Sequence, residues 1–390
     1  MALTTNTPTP DELVRRIAEM APVLRKHGAW AEDNRRLPDE VIGALADVGV
    51  FKMRVPRRYG GYESDTRTLI DVAAELARAD GATAWTASVY WIPTWMVGMF
   101  PAEVQDEVFA TPDVRVCGTL SPSAIAMPAE DGVVVNGEWG FMTGAWHSHW
   151  QEIIAVLVGA GGEPYPIVAL VPVSDLQLVD DWHTSGLRGT GSISTVAKDV
   201  FVPARRVLPL HVVLAGRPDA AEPMYRAPLL PVASVSAVGN ALGLAQAGLH
   251  AFLDRLPDRK ITYTSYDSQR TAPLTHHQVA DATMKVDEAA FHAYRLSDTV
   301  DAKCATGEEW SLLERVRARG DLGSACRLGK EAVDLLATAS GGSSIYQDVP
   351  IQRIARDIQA VNLHALMHPN TNSELYGRVL CGLEPNTQYL

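Results

Sequence analysis

Hydrophobic spacing divides the chain of 390 residues into three stretches. Up to about residue 110, apolar side chains recur three or four positions apart, the period of an amphipathic helix, as in Leu13, Ile17, Met20 and Leu24. From about residue 115 to 208, short apolar runs such as IIAVLV and IVALVPV alternate with turn residues, which predicts strands. After a proline-rich connection at 218–231, the helical spacing returns.

Local signals predict where several elements begin and end. Thr9-Pro10 is typical of a helix start, and a further helix is expected from about Thr66 to Ala79. Pro93, inside YWIPTWM, predicts a break or kink in a helix. Asn136-Gly137, inside GVVVNGEWGF, predicts the turn of a β-hairpin.

The last stretch contains the seam of a helix bundle. Its apolar positions alternate three and four apart, as in Val279, Ala282, Val286, Ala289, Ala293, Leu296 and Val300. We therefore predict an α+β chain, mostly α. It has an N-terminal helical domain at 1–112, a small β-barrel or sandwich at 113–212 and a C-terminal four-helix bundle at 213–390.

Composition narrows the classes of partner. With 46 acidic and 34 basic side chains, the net charge is −12, which disfavours nucleic acid and anionic membranes. We see no signal sequence and no uninterrupted apolar stretch of about 20 residues, so we expect no membrane segment. The four cysteines are widely separated, which predicts a reduced, cytoplasmic chain without disulfides or a thiolate zinc site.

Several motifs for bound phosphate or metal are absent. The stretch Gly323–Lys330 departs from a phosphate loop in spacing, and Gly186–Gly191 lies among strands without a following helix. No glutamate has a histidine three positions later, so a di-iron bundle is excluded. His147 and His149 share a strand face but lack an obvious third ligand, so we predict no metal site.

The stretch WGFMTGAWHSHW, residues 139–150, concentrates aromatic rings between the strands. Aromatic faces suit a flat, conjugated ligand, and they equally suit the core of a barrel.

Four segments of the chain resemble the acyl-CoA dehydrogenase family: residues 117–150, 186–207, 339–357 and 376–386. Within the first, an aromatic-x-aromatic-x-[Ser/Thr]-Gly-x-x-His-x-x-Trp pattern is similar to that of one branch, the two-component flavin-dependent monooxygenases. Its positions here are Trp139, Phe141, Thr143, Gly144, His147 and Trp150.

The resemblance implies reduced flavin (FADH2 or FMNH2), O2, a C4a-hydroperoxyflavin and hydroxylation of an aromatic or heteroaromatic small molecule. It also implies a separate NAD(P)H:flavin reductase and a homotetramer. The implied flavin-facing residues are Thr119, Leu120, Trp139, Phe141 and Thr143, with the Thr143 hydroxyl near flavin N5. The implied contacts to the flavin tail, reaching across a subunit interface, are Arg270, Gly341, Gly342 and Ser343.

The same resemblance separates an oxygenase from a dehydrogenase. A dehydrogenase needs a carboxylate base, and the two family positions for that glutamate correspond to Ala365 and approximately Ala233. The adjacent His364 is expected to face flavin and substrate as a base that titrates near neutral pH, unless it is a core histidine.

The expected substrate pocket is completed by Trp91, Trp95 and His147. Some members of the branch carry a histidine shortly before the tryptophan at 95, where this chain has Pro93-Thr94, which suggests a less polar substrate end. Three alternatives stay open at this point: an acyl-CoA dehydrogenase-like flavoenzyme, an N-oxygenase of an amino-sugar type substrate, and a binding protein that has lost its chemistry.

Overall fold

The N-terminal stretch folds as helices in a computed structural model, which describes residues 7–159 and 163–390. The helices are α1 (Pro10–Asn34), α2 (Asp39–Val48), α3 (Thr66–Ala79), α4 (Gly81–Val97) and α5 (Ala102–Phe109). The Thr9 side chain caps α1 by accepting the backbone N–H of Glu12 at 3.2 Å. The predicted break at Pro93 is wrong, because α4 continues through it to Val97, held by the surrounding core.

The middle stretch forms one curled sheet. Its strands are β1 (Val116–Gly118), β2 (Ala124–Ala129), β3 (Gly132–Met142), β4 (Trp150–Leu157), β5 (Tyr165–Pro172), β6 (Gln177–Val179), β7 (Ile193–Pro203) and β8 (Val207–Pro209). The order is β6-β7-β3-β2-β4-β5-β8, with β1 parallel to β4. Gln151 of β4 donates to the Thr195 hydroxyl of β7 at 2.8 Å, so strands distant in this order meet inside a barrel-like core.

The predicted hairpin turn at Asn136-Gly137 is wrong. Strand β3 runs through these residues, and the turn between β2 and β3 lies at Glu130-Asp131, between the paired Ala129 and Gly132. Asn136 instead accepts the backbone N–H of Asp199 at 2.8 Å beside an irregularity in the β3–β7 pairing. Gly137 is needed because a Cβ there would lie 2.3 Å from that of Ala124.

The C-terminal stretch is the predicted helix bundle. Its helices are α6 (Leu210–Ala215), α7 (Leu229–Arg255), α8 (Pro273–Thr306), α9 (Leu312–Ala339), α10 (Pro350–Leu363) and α11 (Pro369–Leu380). The α8 seam is confirmed, since its positions from Ala282 to Val300 are buried while Val279 is half-buried. Helix α9 packs against α7, α8, α10 and α11, so it is the central helix of the bundle.

Helix α7 lies at the centre of the whole molecule. The segment Leu229–Asp258 has the length and mean hydropathy, 1.3, of a membrane-crossing helix, and 94% of that apolar window is buried inside the protein. It packs against α3, α4, α8, α9 and α10, so its apolar surface is covered by helices of both helical stretches. The fold class is confirmed, and the domain limits stay a prediction because one hydrophobic core connects the three stretches.

Candidate active site

The aromatic stretch at the end of β3 is split by a β-bulge. The pairing with β7 shifts register between Trp139 and Met142, and Phe141 has a left-handed backbone with φ of 62°. Trp139 is fully buried and donates its indole N–H to the Ile154 carbonyl at 2.9 Å, whereas Phe141 is 72% exposed. Regular alternation would put both rings on one face, and the bulge turns only Phe141 outward. Phe141 alone of the two presents its ring to a ligand.

A chain of three hydroxyl groups ends at Thr143. Thr190 donates to the Leu187 carbonyl at 2.9 Å, so its oxygen accepts the 2.7 Å bond from Ser192. Ser192 has then used its only proton, and Thr143 is the donor in the 2.8 Å bond between Thr143 and Ser192. The Thr143 oxygen therefore keeps its lone pairs for a donor outside the chain. Sequence reasoning missed Thr190 and Ser192, although both lie in the segment 186–207.

The predicted pocket tryptophans of α4 are buried, and their N–H groups are already bonded. Trp91 donates to the Val50 carbonyl at 2.9 Å, and Trp95 donates to the Met224 carbonyl at 2.7 Å. Both side chains lie in the hydrophobic core and offer no free hydrogen-bonding group, and their place in the substrate pocket stays a prediction.

His147 and His149 are held apart by different partners. His147 Nε2 lies 2.9 Å from the Leu37 carbonyl, and burial lowers the pKa of His147. His149 Nδ1 accepts the backbone N–H of Arg115 at 3.1 Å. Within residues 7–159 and 163–390, no three metal-ligating side chains come together, so His147 and His149 have no third ligand beside them.

Thr119 and Leu120 leave β1 beside the C-terminal tail. The Tyr389 hydroxyl donates to the Leu120 carbonyl at 3.1 Å, and Arg319 of α9 donates to the Tyr389 carbonyl at 3.0 Å. Thr119 and Leu120 are half-buried, so part of each remains accessible. The tail thus joins the bundle to the end of β1.

His364 lies directly after the C-terminal end of α10. Its ring contacts Trp85 of α4 edge to face, with ring centres 5.1 Å apart. Its Nδ1 accepts the backbone N–H of Leu366 at 3.2 Å, so the neutral ring carries its proton on Nε2.

The pKa of His364 differs from the sequence-based expectation. Dense surrounding protein, followed by the positive charge of Arg319, lowers the pKa of His364 to about 4. His364 as a whole residue is nevertheless exposed. This pKa value lies below the neutral range that the sequence suggests. The base role stays a prediction, and it requires the tautomer with the proton on Nδ1.

The predicted flavin-tail residues come together at the other end of α10. The turn Gly341-Gly342-Ser343 is exposed, and Gly341 has φ of 67°. Arg259, which sequence reasoning missed, donates to the Ser343 hydroxyl at 2.8 Å. The segment that carries Arg270 is held beside this turn because Gln269 donates to the Ala339 carbonyl at 2.9 Å. Two arginines beside an exposed glycine turn suit an anionic group.

The Arg356-Asp357 pair joins α10 to the rest of the chain. The buried Asp357 accepts the backbone N–H of Leu187 at 2.7 Å, and Arg356 forms an ion pair with Glu32 of α1. Burial raises the pKa of Asp357 to about 7. The pair therefore fixes the loop that begins the hydroxyl chain, which gives it a structural reason in this chain.

Known proteins share both the sequence and the fold. Residues 11–112 match the model of the acyl-CoA dehydrogenase N-terminal domain, and residues 235–369 match that of the C-terminal domain. The FADH(2)-dependent resorcinol hydroxylase, oxygenase component, of Rhizobium sp. (strain MTP-10005) is 31% identical, covering 97% of this chain and 96% of that protein.

Two further proteins are similar to this chain over nearly its whole length. The flavin-dependent monooxygenase oxygenase subunit HsaA of Rhodococcus jostii (strain RHA1) is 30% identical, over 95% of this chain and 98% of its own length. The solved structure of XiaF from Streptomyces sp., in complex with FADH2 and glycerol, superposes with a TM-score of 0.94 at 30% identity, covering 98% of each chain. The chain therefore belongs to the oxygenase components of flavin-dependent monooxygenases, which are built on the acyl-CoA dehydrogenase fold.

Proposed function

We propose that the chain hydroxylates a small phenolic or related aromatic compound with reduced FAD and O2. A separate NAD(P)H:flavin reductase supplies the reduced flavin, in line with the two-component organisation of its family. The names of relatives support the substrate class, since they include a resorcinol hydroxylase, a p-hydroxyphenylacetate 3-hydroxylase and an indole-3-acetate monooxygenase. FADH2 is named for the resorcinol hydroxylase and for the XiaF complex, which favours FAD over FMN.

The orientation of the Thr143 hydroxyl carries this proposal. Reduced flavin bears a hydrogen on N5 and needs an acceptor there, whereas oxidised flavin has a lone pair at N5 and needs a donor. The hydroxyl chain leaves Thr143 as an acceptor, because its proton is held by Ser192 at 2.8 Å. The residues therefore fit the reduced form. When bound, reduced flavin would supply the two electrons that activate O2, so that one oxygen atom of O2 enters the substrate and the other leaves as water.

The chain's own residues bind the flavin, orient the substrate and exclude water. The exposed ring of Phe141 offers a face to the flavin ring, and the half-buried residues Thr119 and Leu120 offer polar groups to its edge. The buried aromatic side of α4 keeps the adjoining space apolar, and a dry site disfavours loss of activated oxygen as H2O2. His364 offers its Nε2–H to an oxygen of the substrate, which orients the aromatic ring.

The dehydrogenase alternative lacks its base. Ala233 is buried in α7, and Ala365 follows His364 after α10, so neither predicted glutamate position carries a carboxylate. We therefore expect no oxidation of saturated acyl-CoA.

The flavin tail is proposed to bind at the glycine turn of a neighbouring subunit in a homotetramer. Helix α10 has 14 residues and is about 21 Å long, so the turn and His364 lie at opposite ends of it. Several large apolar side chains on and near the bundle are exposed, as expected of an interface between subunits: Leu274, Met284, Phe291, Ile345 and Tyr346.

The four cysteines are unpaired, which supports the proposed cytoplasmic location.

An anaerobic titration tests the function. The protein should bind reduced FAD more tightly than oxidised FAD, and more tightly than reduced FMN. Mixing the complex with O2 and a panel of phenols should then give a hydroxylated product. Tighter binding of oxidised FAD, or turnover of a saturated acyl-CoA, would contradict the proposal.

A further inference from the structure

A buried carboxyl group lies between the predicted flavin strand and the aromatic helix. Glu152 of β4 is only 1% exposed and is the register partner of Gly118, the residue directly before Thr119. A Cβ placed on Gly118 would lie 3.2 Å from the Glu152 Cβ and 3.6 Å from the Pro93 Cβ. Glu152 and Pro93 therefore flank the same glycine. Sequence reasoning expected a less polar substrate end at Pro93, and the structure places a carboxyl beside it.

The Glu152 carboxyl is unpaired. Among residues 7–159 and 163–390, neither of its oxygens has a hydrogen-bond partner. The neighbouring Gln151 points to the other face of β4, where its amide donates to Thr195 at 2.8 Å. Burial without a compensating cation raises the pKa of Glu152 well above its usual range, which favours the neutral acid.

A buried carboxyl group without a hydrogen-bond partner lowers the stability of the fold when no ligand is bound. Leaving a buried polar group unsatisfied costs about 1–3 kcal/mol, and a strand of apolar residues such as Ile153 and Ile154 fills the neighbouring positions without that cost. A ligand group that reaches the acid removes the cost. Gly118 leaves room for such an approach, since it is half-buried and carries no side chain beside the Cβ of Glu152.

We propose that Glu152 is a specificity residue that hydrogen-bonds a hydroxyl group of the aromatic substrate; this rests on the proposed function. A neutral carboxylic acid has one O–H donor and one carbonyl acceptor, and a phenolic hydroxyl likewise donates and accepts. The two groups therefore form a reciprocal pair. A compound that lacks the hydroxyl leaves the acid unpaired and binds less tightly.

The test compares three variants in the full chain. Glu152→Leu removes both oxygens, Glu152→Gln keeps one donor and one acceptor, and Ile154→Leu is the matched control on the same face of β4. Calorimetry of the anaerobic complex with reduced FAD gives dissociation constants for two pairs: resorcinol against phenol, and 4-hydroxyphenylacetate against phenylacetate. Thermal unfolding of the free proteins is measured in parallel.

Wild type should favour the more hydroxylated member of at least one pair by about 10-fold. E152L should lose that preference, E152Q should retain most of it, and I154L should match wild type. Without ligand, E152L should melt about 2 °C or more above wild type, because it removes an unpaired buried acid.

Two results would overturn the role of Glu152. One is an E152L protein with the discrimination of wild type. The other is an E152L protein that melts below both wild type and I154L, which means that the carboxyl is paired inside the free protein. By contrast, a wild type that binds none of the four compounds contradicts the proposed substrate class, and the melting comparison still decides whether the acid is unpaired.

Discussion

Replacing Ser192 by alanine should uncouple the reaction, although Ser192 acts only through Thr143. The Thr143 proton is directed to Ser192 in a 2.8 Å bond, and this leaves the Thr143 oxygen as an acceptor. In Ser192→Ala the proton loses its acceptor, and the Thr143 hydroxyl rotates freely. The hydrogen on N5 of the reduced flavin is then no longer assured of an acceptor, so more of the flavin reacts to give H2O2.

The size of the effect follows from one neutral hydrogen bond. Such a bond contributes about 0.5–1.5 kcal/mol, which corresponds to an increase of about 2- to 12-fold in the ratio of H2O2 to product. Thr143→Val removes the oxygen itself and should uncouple at least as strongly. Thr143→Ser keeps the hydroxyl within the same chain and should stay close to wild type.

Oxygen consumption, H2O2 and hydroxylated product are measured together, with a flavin reductase supplying reduced FAD. Equal melting temperatures of wild type and S192A would show that the fold is intact. If T143V uncouples and S192A does not, the orientation of Thr143 is not set by Ser192. If neither variant uncouples, both hydroxyls serve packing alone.

Variants at three further residues test other parts of the site. His364→Ala should lower product formation by about 10²- to 10⁴-fold if the ring is a base, whereas recovery of activity in His364→Asn, which keeps an N–H donor, would identify a donor role instead. Arg259→Met should weaken binding of reduced FAD by about 10-fold without affecting riboflavin, which has no phosphate, and equal losses for both would place Arg259 away from the tail. Asp357 has a folded-state pKa raised to about 7, so the folded state binds more protons than the unfolded state between about pH 4 and 7. Its contribution should lower the free energy of unfolding by up to about 4 kcal/mol as pH rises through that window. Urea unfolding of Asp357→Asn should lack this part of the slope, and an unchanged slope would assign it to other groups.

The helices were predictable because their apolar faces are long and regular. The α8 seam repeats over six turns, and the capped start at Thr9 has a local cause. The two wrong predictions concern single residues whose surroundings outweigh their propensity. Pro93 stays within α4 because that helix is buried along most of its length, and Asn136 finds its partner in Asp199, 63 residues away.

The site was less predictable because it depends on distances across the chain. Period-two alternation treats Trp139 and Phe141 alike, and only the bulge separates a buried ring from an exposed one. The orientation of Thr143 depends on Ser192, 49 residues later. In the sequence, Glu152 is a single polar residue within an apolar strand. Only the structure shows that its carboxyl group has no hydrogen-bond partner among the described residues.

The bond between Asp357 and Leu187 makes the orientation of the hydroxyl chain depend on a helix near the end of the sequence. These residues are 170 positions apart, and the Leu187 carbonyl is the end point of the hydroxyl chain. A nascent or truncated chain that stops before α10 contains Thr143, Ser192 and Thr190 but lacks the carboxylate that holds their loop. The hydroxyl chain is therefore fixed only when α10 is packed against the loop that contains Leu187, and a chain that ends before α10 has no oriented acceptor at Thr143.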